Sequence, residues 1–306
     1  MRWMIIASWF VSVAVQAQEL NLQPVQVAPD IYAVVGDLGG QTYENDGLNN
    51  NLGFVVSDGG VLVINSGPSV RVARALHAAI RKTTPQPVKW LVNLNSQNHN
   101  WLGNGYFKSL GVTILASSEA ERVMRELGAQ QLEANKTLLK EKADGTVLAY
   151  PTGLIADRRE LKLGKTTVQL LHFGPAHTPG DLAVWLPQQK ILFAGDIVYT
   201  ERLLAVLPIG NSANWVQAFD KLVALNPKTI VPGHGRPTTI EVARRDTRDY
   251  LSFLRVEAKR ILDAGGSLQD AVEKTDQSRF RSLANFDLLA RRNMNQVCQE
   301  VERDAL

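Results

Sequence analysis

Three polar turns, each at the end of an apolar run, constrain this chain more than any other feature. Thr167 to Phe173 reads as a strand and ends in Gly174-Pro175-Ala176-His177-Thr178-Pro179-Gly180-Asp181. Ile191-Leu192-Phe193-Ala194 runs into Gly195-Asp196, and Thr229-Ile230-Val231 into Pro232-Gly233-His234-Gly235. Short apolar runs bounded by Gly and Pro are the signature of buried strands. Turns at strand ends are where a rigid sheet presents chemistry. A tight Pro/Gly turn also holds an imidazole outward on stiff backbone, as metal ligation requires. One such turn would mean little. Three in succession are hard to explain by packing.

The rest of the chain supplies the sheets that such turns need. Ile31 to Val35, Asn51 to Val56 and Gly60 to Ile64 read as strands, the last two joined by a Ser57-Asp58-Gly59-Gly60 hairpin turn. Apolar spacing at Val72, Ala75, Leu76, Ala79 and Ile80 predicts a helix from Val70, in which His77 is a surface or packing residue. Val88 to Val92 and Val112 to Ala116 are further strands. Ser117 or Ser118 caps a helix from Glu119 to about Leu127, with a more polar helical stretch on to Lys142. Arg159 to Leu163 and Asp181 to Leu186 add strands, Trp215 to Leu225 a helix, and residues 241–306 are mainly helical with a break at Gly265-Gly266. The order, ββα-βαβ and then hairpins, helix, strand and helix, predicts an α/β fold of two packed sheets with helices outside. Residues 18–306 read as one domain. Gly36 to Asn51, rich in Gly, Asn and Asp, reads as a surface loop bordering a pocket.

Composition excludes several classes of function. Of 306 residues, 45% are apolar and 21% charged, as in ordinary globular proteins. The formal charge of +3 comes from dispersed basic residues, so no nucleic-acid partner is expected. Met1-Arg2, the apolar run Trp3 to Val15 and the small residues of Val15-Gln16-Ala17 predict a signal peptide cleaved after Ala17. The run is too short to span a bilayer, and Gln18 in place of Cys gives no lipid anchor. A periplasmic or secreted protein, off the membrane after cleavage, is the expectation. Cys298 is the only cysteine, so no intrachain disulfide forms.

A fourth polar stretch, Asn93-Leu94-Asn95-Ser96-Gln97-Asn98-His99-Asn100-Trp101-Leu102-Gly103-Asn104, follows the strand Trp90-Leu91-Val92 and reads as a loop. Together with His177-Thr178-Pro179-Gly180-Asp181, Gly195-Asp196 and Pro232-Gly233-His234-Gly235 it resembles the metallo-β-lactamase superfamily over most of residues 25–240. That resemblance implies a four-layer αββα sandwich with a metal site at one edge of its sheets. Most members are zinc hydrolases and some bind iron. The leading family motif, H-x-H-x-D-H followed by Gly, is degenerate here. Without a gap, Asn95 and Gln97 take the two histidine positions, His99 the aspartate and Asn100 the last histidine. With one inserted residue, Asn98 takes the aspartate and His99 the last histidine. Either register loses the paired histidines that hold the first metal. Asn65 likewise replaces the aspartate of a strand-end Asp-x-Gly motif. The Trp101-Leu102-Gly103-Asn104 run and the exported form also resemble periplasmic hydrolase-like proteins associated with quinoprotein and sulfur-oxidation systems.

The resemblance implies metal ligands at His99, His177, Asp196 and His234, enough for one four-coordinate divalent ion: zinc, with iron or manganese as alternatives. Asp196 would also orient water, and the amides of Asn95 and Gln97 would donate to a developing oxyanion. An ester, thioester or lactone is the small-molecule substrate class that the family implies. His172 is expected to pack behind His177, and Tyr199 to be an ordinary strand-end aromatic. The competing expectation is a metal-free, non-catalytic protein whose groove binds a ligand or a periplasmic partner protein.

Overall fold

The computed structural model describes residues 20–305; the signal peptide expected at residues 1–17 lies outside them. Twelve strands form two mixed sheets. The first is seven-stranded, β1 (Val25–Ala28), β2 (Ile31–Val34), β3 (Leu52–Ser57), β4 (Gly60–Ile64), β5 (Val88–Val92), β6 (Thr113–Ser117) and β7 (Gly153–Ile155), paired in chain order. The second contains β8 (Arg158–Leu163), β9 (Thr166–His172), β10 (Leu182–Leu186), β11 (Ile191–Tyr199) and β12 (Thr229–His234), also in chain order. β1 to β4 and β8 to β11 pair antiparallel, whereas β4, β5, β6 and β7, like β11 and β12, pair in parallel across helical crossovers.

Period-two alternation sends side chains of each strand to opposite faces. Ile31, Val55, Leu62, Ile64 and Val92 from the first sheet meet Leu163, Val168, Leu170, Val184 and Phe193 from the second, forming the interior between them. The opposite face of the first sheet, with Phe54, Val63 and Leu91, is covered by Val72, Leu76 and Ile80 of the helix Val70–Thr83. The opposite face of the second, with Ala183, Trp185 and Leu192, is covered by Trp215, Phe219 and Leu222 of Ser212–Val223, and by Asp249–Asp263 and Phe286–Asp304. Helix, sheet, sheet, helix is the four-layer sandwich expected.

Local differences from the sequence reading are few and physical. The stretch after β5 is not an open loop, because Asn98–Trp101 and Asn104–Ser109 wind into short helices. Glu119 to Lys142 is not two segments but one helix, Ser118–Leu139, capped by the Ser117 hydroxyl accepting from Ala120 N–H at 3.0 Å. Asp196 stands within the long strand β11 rather than in a turn, and His234 is the last residue of β12, since the two strands continue pairing as far as Tyr199 and His234. Among the described residues no helix is long and apolar enough to cross a membrane.

Candidate metal centre

The site gathers where β5, β11 and β12 and the turn after β9 end on one edge of the two sheets. Asp196 is its centre. Its Oδ2 accepts from Asn95 Nδ2 at 2.6 Å and lies 3.6 Å from His99 Nε2 and 4.0 Å from His177 Nε2, while Oδ1 lies 3.5 Å from His234 Nε2. His99, Asp196 and His234 each offer one ligand atom within 4.8 Å of the others. His177 stands outside that group, paired through Nε2 with Gln97 Oε1 at 2.8 Å and approached by the Tyr199 hydroxyl at 3.4 Å. Asp196 is 1% exposed, His234 3% and His99 6%.

Buried polar atoms nearly always find a partner, yet His99 Nε2 and Asp196 Oδ1 have none among the described residues. His234 Nδ1 donates to the Asn49 carbonyl at 2.6 Å, which leaves Nε2 as the bare nitrogen facing Asp196. A backbone carbonyl fixing the distal ring nitrogen is the usual support of a ligating histidine. Two imidazole nitrogens and a carboxylate oxygen, unpaired and converging, fit a divalent transition metal.

The elements around Asp196 explain this geometry. Asn95 cannot serve as a free oxyanion donor: it is buried, its amide holds Asp196, and its Oδ1 accepts from Gln97 N–H at 2.9 Å and Asn100 Nδ2 at 2.6 Å. Its work is to orient the carboxylate. Gln97 is only partly buried and faces His177. Asn65 sits in the left-handed region at φ 59°, which Asn tolerates, and its Oδ1 accepts from Leu94 N–H at 2.9 Å, tying β4 to the start of the site loop. His172 Nδ1 pairs with the Asp181 carbonyl at 2.9 Å, away from the cluster. His77 pairs with Tyr106 on the far side of the first sheet.

Two groups of residues escaped the sequence reading. Asn49, Asn50 and Asn51 are buried at the end of the Gly36–Asn51 loop; besides the His234 contact, Asn51 Nδ2 donates to Pro232 and Gly235 carbonyls at 2.9 and 2.6 Å. Arg202 is also buried, its Nη1 donating to the Gly39 carbonyl at 2.9 Å. The run of three asparagines is the only signal that pointed to the first group, and nothing in the local pattern marks Arg202.

Burial sets the charge states. It pulls His177 down to about 4 and His234 to about 3, with Asp196 acting in the opposite sense, so both rings are neutral near pH 7. Burial alone would raise Asp196, but the polar contact with His99 and the neighbouring imidazoles outweigh it and hold the carboxyl well below its usual range. Asp181 goes the other way, pushed up to about 8 by burial despite accepting from the Thr178 amide at 2.6 Å and its hydroxyl at 2.9 Å.

These shifts predict where metal-free protein is most stable. Below the ordinary imidazole value of about 6.5 the unfolded chain takes up protons that folded His177 and His234 refuse, so stability falls as pH drops towards 4. Above that value the two histidines contribute fully. Asp181 keeps its proton when folded, so its contribution is lost as pH rises from about 4 towards 8. Two groups oppose one in the acid window, and Asp181 acts alone above it. Urea midpoints of chelated protein should therefore peak near pH 6.5, and Asp181→Asn should flatten the alkaline limb.

A buried His–Asp–His cluster thus stands at the shared edge of an αββα sandwich. Solved proteins share this fold. The family model of the metallo-β-lactamase superfamily matches residues 99–234. A linear primary-alkylsulfatase of Pseudomonas sp. (strain ATCC 19151) is 23% identical over 253 residues, 70% of this chain and 48% of the relative. The acyl-coenzyme A thioesterase MBLAC2 of Homo sapiens is 29% identical over 106 residues, 33% of this chain and 38% of the relative. The solved metallo-β-lactamase from Pontibacter korlensis superposes with a TM-score of 0.63 at 20% identity, covering 76% of this chain and 99% of that one. The chain spans about half the length of the alkylsulfatase it matches. On these matches the chain is similar to the metallo-β-lactamase superfamily and shares its fold.

Proposed function

We propose that this protein is an exported hydrolase with one divalent ion held by His99, Asp196 and His234, acting on an ester-type bond. The observation that carries the reading is the convergence of unpaired ligand atoms in a buried cluster: His99 Nε2 and Asp196 Oδ1 without partners, and His234 Nε2 turned inward by Asn49. Zinc, iron or manganese would each supply Lewis acidity there and a lowered pKa for water. Asn95 orients Asp196 and the Asn49 carbonyl fixes the His234 tautomer. Gln97 Oε1 accepts from His177 Nε2, and its NH2 group is the donor this reading assigns to a developing oxyanion. In this reading His177 pairs with Gln97 and stays outside the ligand set. Esters, thioesters and lactones are the substrates proposed, and relatives named for alkyl sulfates and acyl-coenzyme A support a bond of that kind.

A metal-free binding protein is the second reading, favoured by the near-complete cover over the cluster and by the Gln97–His177 pair. Elemental analysis of protein purified without chelator, followed by zinc titration of wild type, His99→Asp and His99→Ala, separates the two. The hydrolase reading expects one firmly held ion, retained by His99→Asp and weakened roughly 10- to 100-fold or more by His99→Ala, taking metal-site support mutations as the yardstick. Three identical affinities would remove His99 from the site. Metal well below one per chain after zinc, iron and manganese supplementation would remove the mechanism.

A further inference from the structure

We propose that Thr247 is a positioning residue of the metal centre: from a π-helical turn it fixes Tyr199, and through the Tyr199 ring it fixes His234. The consequence for metal binding rests on the hydrolase reading above, whereas the placement of His234 rests on geometry alone.

The helix that runs from Ile240 to Asp263 is interrupted at Arg244–Arg248 by a π-helical turn, where Asp249 N–H reaches the Arg244 carbonyl five residues back. Such a turn holds one residue more than an α-helical turn and re-aims the side chains around it. Here two neighbours, Asp246 and Thr247, both meet the end of β11, and both are buried. Asp246 Oδ2 accepts from Glu201 N–H at 3.2 Å. The Thr247 hydroxyl engages both backbone groups of Tyr199, accepting from its N–H at 2.9 Å and donating to its carbonyl at 2.6 Å. β11 needs that partner, because its pairing with β10 ends at Phe193 and β12 alone accompanies it to Tyr199. A buried N–H and carbonyl left without partners would be costly there.

Tyr199, expected from the sequence to be an ordinary strand-end aromatic, is the surface on which His234 lies. The two rings stack with centroids 4.6 Å apart and planes 16° apart. Tyr199 is itself packed against His177 and Trp215, at 5.6 and 6.1 Å between centroids. His234 is therefore held twice. The Asn49 carbonyl takes its Nδ1 proton and sets the tautomer. One hydrogen bond leaves an imidazole free to swing about that contact, and the flat Tyr199 ring against its face removes the freedom. Where the Tyr199 ring stands depends in turn on its backbone, which Thr247 clamps. Thr247 makes these bonds to the Tyr199 backbone, so it acts on His234 through another residue. The π-helical turn is the device that carries the C-terminal helices to the ligand.

Thr247→Val and Thr247→Ser test this by three readouts. These are zinc affinity by chelator competition, the urea midpoint, and the His234 ring-proton resonance in chelated protein near neutral pH, identified by its loss in His234→Gln. Stacking on Tyr199 places that resonance upfield. Thr247→Val keeps the shape of the side chain but leaves both Tyr199 groups unpartnered. It should move the resonance downfield and weaken zinc about tenfold, the low end for residues that support a ligand. Thr247→Ser should restore both. Adding Thr247→Val to Tyr199→Leu should weaken zinc no further, because the ring it positions is gone. Ile261→Val, in the same helix, should lower the urea midpoint and leave the resonance in place; a merely structural Thr247 would behave likewise. An unmoved resonance in Thr247→Val, or an equal loss of zinc affinity in the Tyr199→Leu background, would overturn the proposal while leaving the metal reading intact. If Thr247→Val does not fold, Thr247→Cys, whose thiol is a weaker partner, takes its place with the same expected directions. Wild type that takes up no zinc while the resonance still depends on Thr247 would leave this placement standing and remove the metal reading.

Discussion

Replacing Asn95 and Gln97 together with histidine should raise the zinc held by this protein from about one ion per chain to about two. The reason lies in what already surrounds His177. Gln97 Oε1 is 2.8 Å from its Nε2, and Asn95 Nδ2 is 2.6 Å from Asp196 Oδ2, itself 4.0 Å from the same Nε2. Both amides therefore border one point beside Asp196, at the two positions where the family motif carries its paired histidines. Neutral amides are poor zinc ligands, whereas three imidazoles are a sufficient set with one position open. His177 is neutral near pH 7 and needs no proton removed to bind. The exchange loses the Asn95 contacts to Asn100 and to the Gln97 amide, at about 1 kcal/mol each, so the variant should fold with a modestly lower midpoint. Elemental analysis after loading and desalting reads the result. Adding His177→Ala should return the count to about one. A double variant that still holds a single ion would show that these side chains do not converge on one point.

Gly233→Ala should damage the site more than removal of any one ligand. A methyl group at Gly233 would stand 2.0 Å from Asp196 Oδ1, 2.7 Å from the Gly195 carbonyl carbon and 2.8 Å from Asp196 N. Two of these are backbone atoms of β11, so no side-chain rotation relieves the clash. The parallel pair β11–β12 would have to part where it carries both Asp196 and His234. Gly233 also accepts from Asn51 N–H at 2.7 Å, and Asn51 adjoins the residues that fix His234. A cost of about 3 kcal/mol in folding stability is expected from overpacking on rigid neighbours, with zinc affinity falling by more than about 100-fold because two ligands move together. Gly40→Ala is the matched control, since nothing lies within 4 Å of its added carbon. Its effect should stay within about 0.5 kcal/mol. Equal behaviour of the two variants would mean that β11 and β12 yield where the geometry says they cannot.

The sequence by itself determined the layers and three of the four turns around the site. Apolar runs of strand length, each closed by Gly or Pro, placed His177, Asp196 and His234 at sheet ends, because a strand's burial pattern and a turn's backbone demands are local properties. Which side chain of the remaining stretch would face Asp196 was not local. Asn98–Trp101 is one turn of helix, and successive side chains diverge there by about 100°. Asn98 turns to Gln41 at 3.1 Å, Asn100 to Asn50 and Asn95, and of this helical turn only His99 approaches Asp196, beside Asn95 from the preceding residues. That rotation is set by the docking of the helix, with Ser66 N–H donating to the Asn100 carbonyl at 2.9 Å and Trp101 Nε1 donating to Gln131 at 2.8 Å, contacts 34 and 30 residues distant in the chain. Arg202 was hidden for the same reason. An arginine three residues past the end of a strand looks like any surface cation, and only the packing of Gly39 and Ala284 around it, from opposite ends of the chain, buries the charge without pairing it.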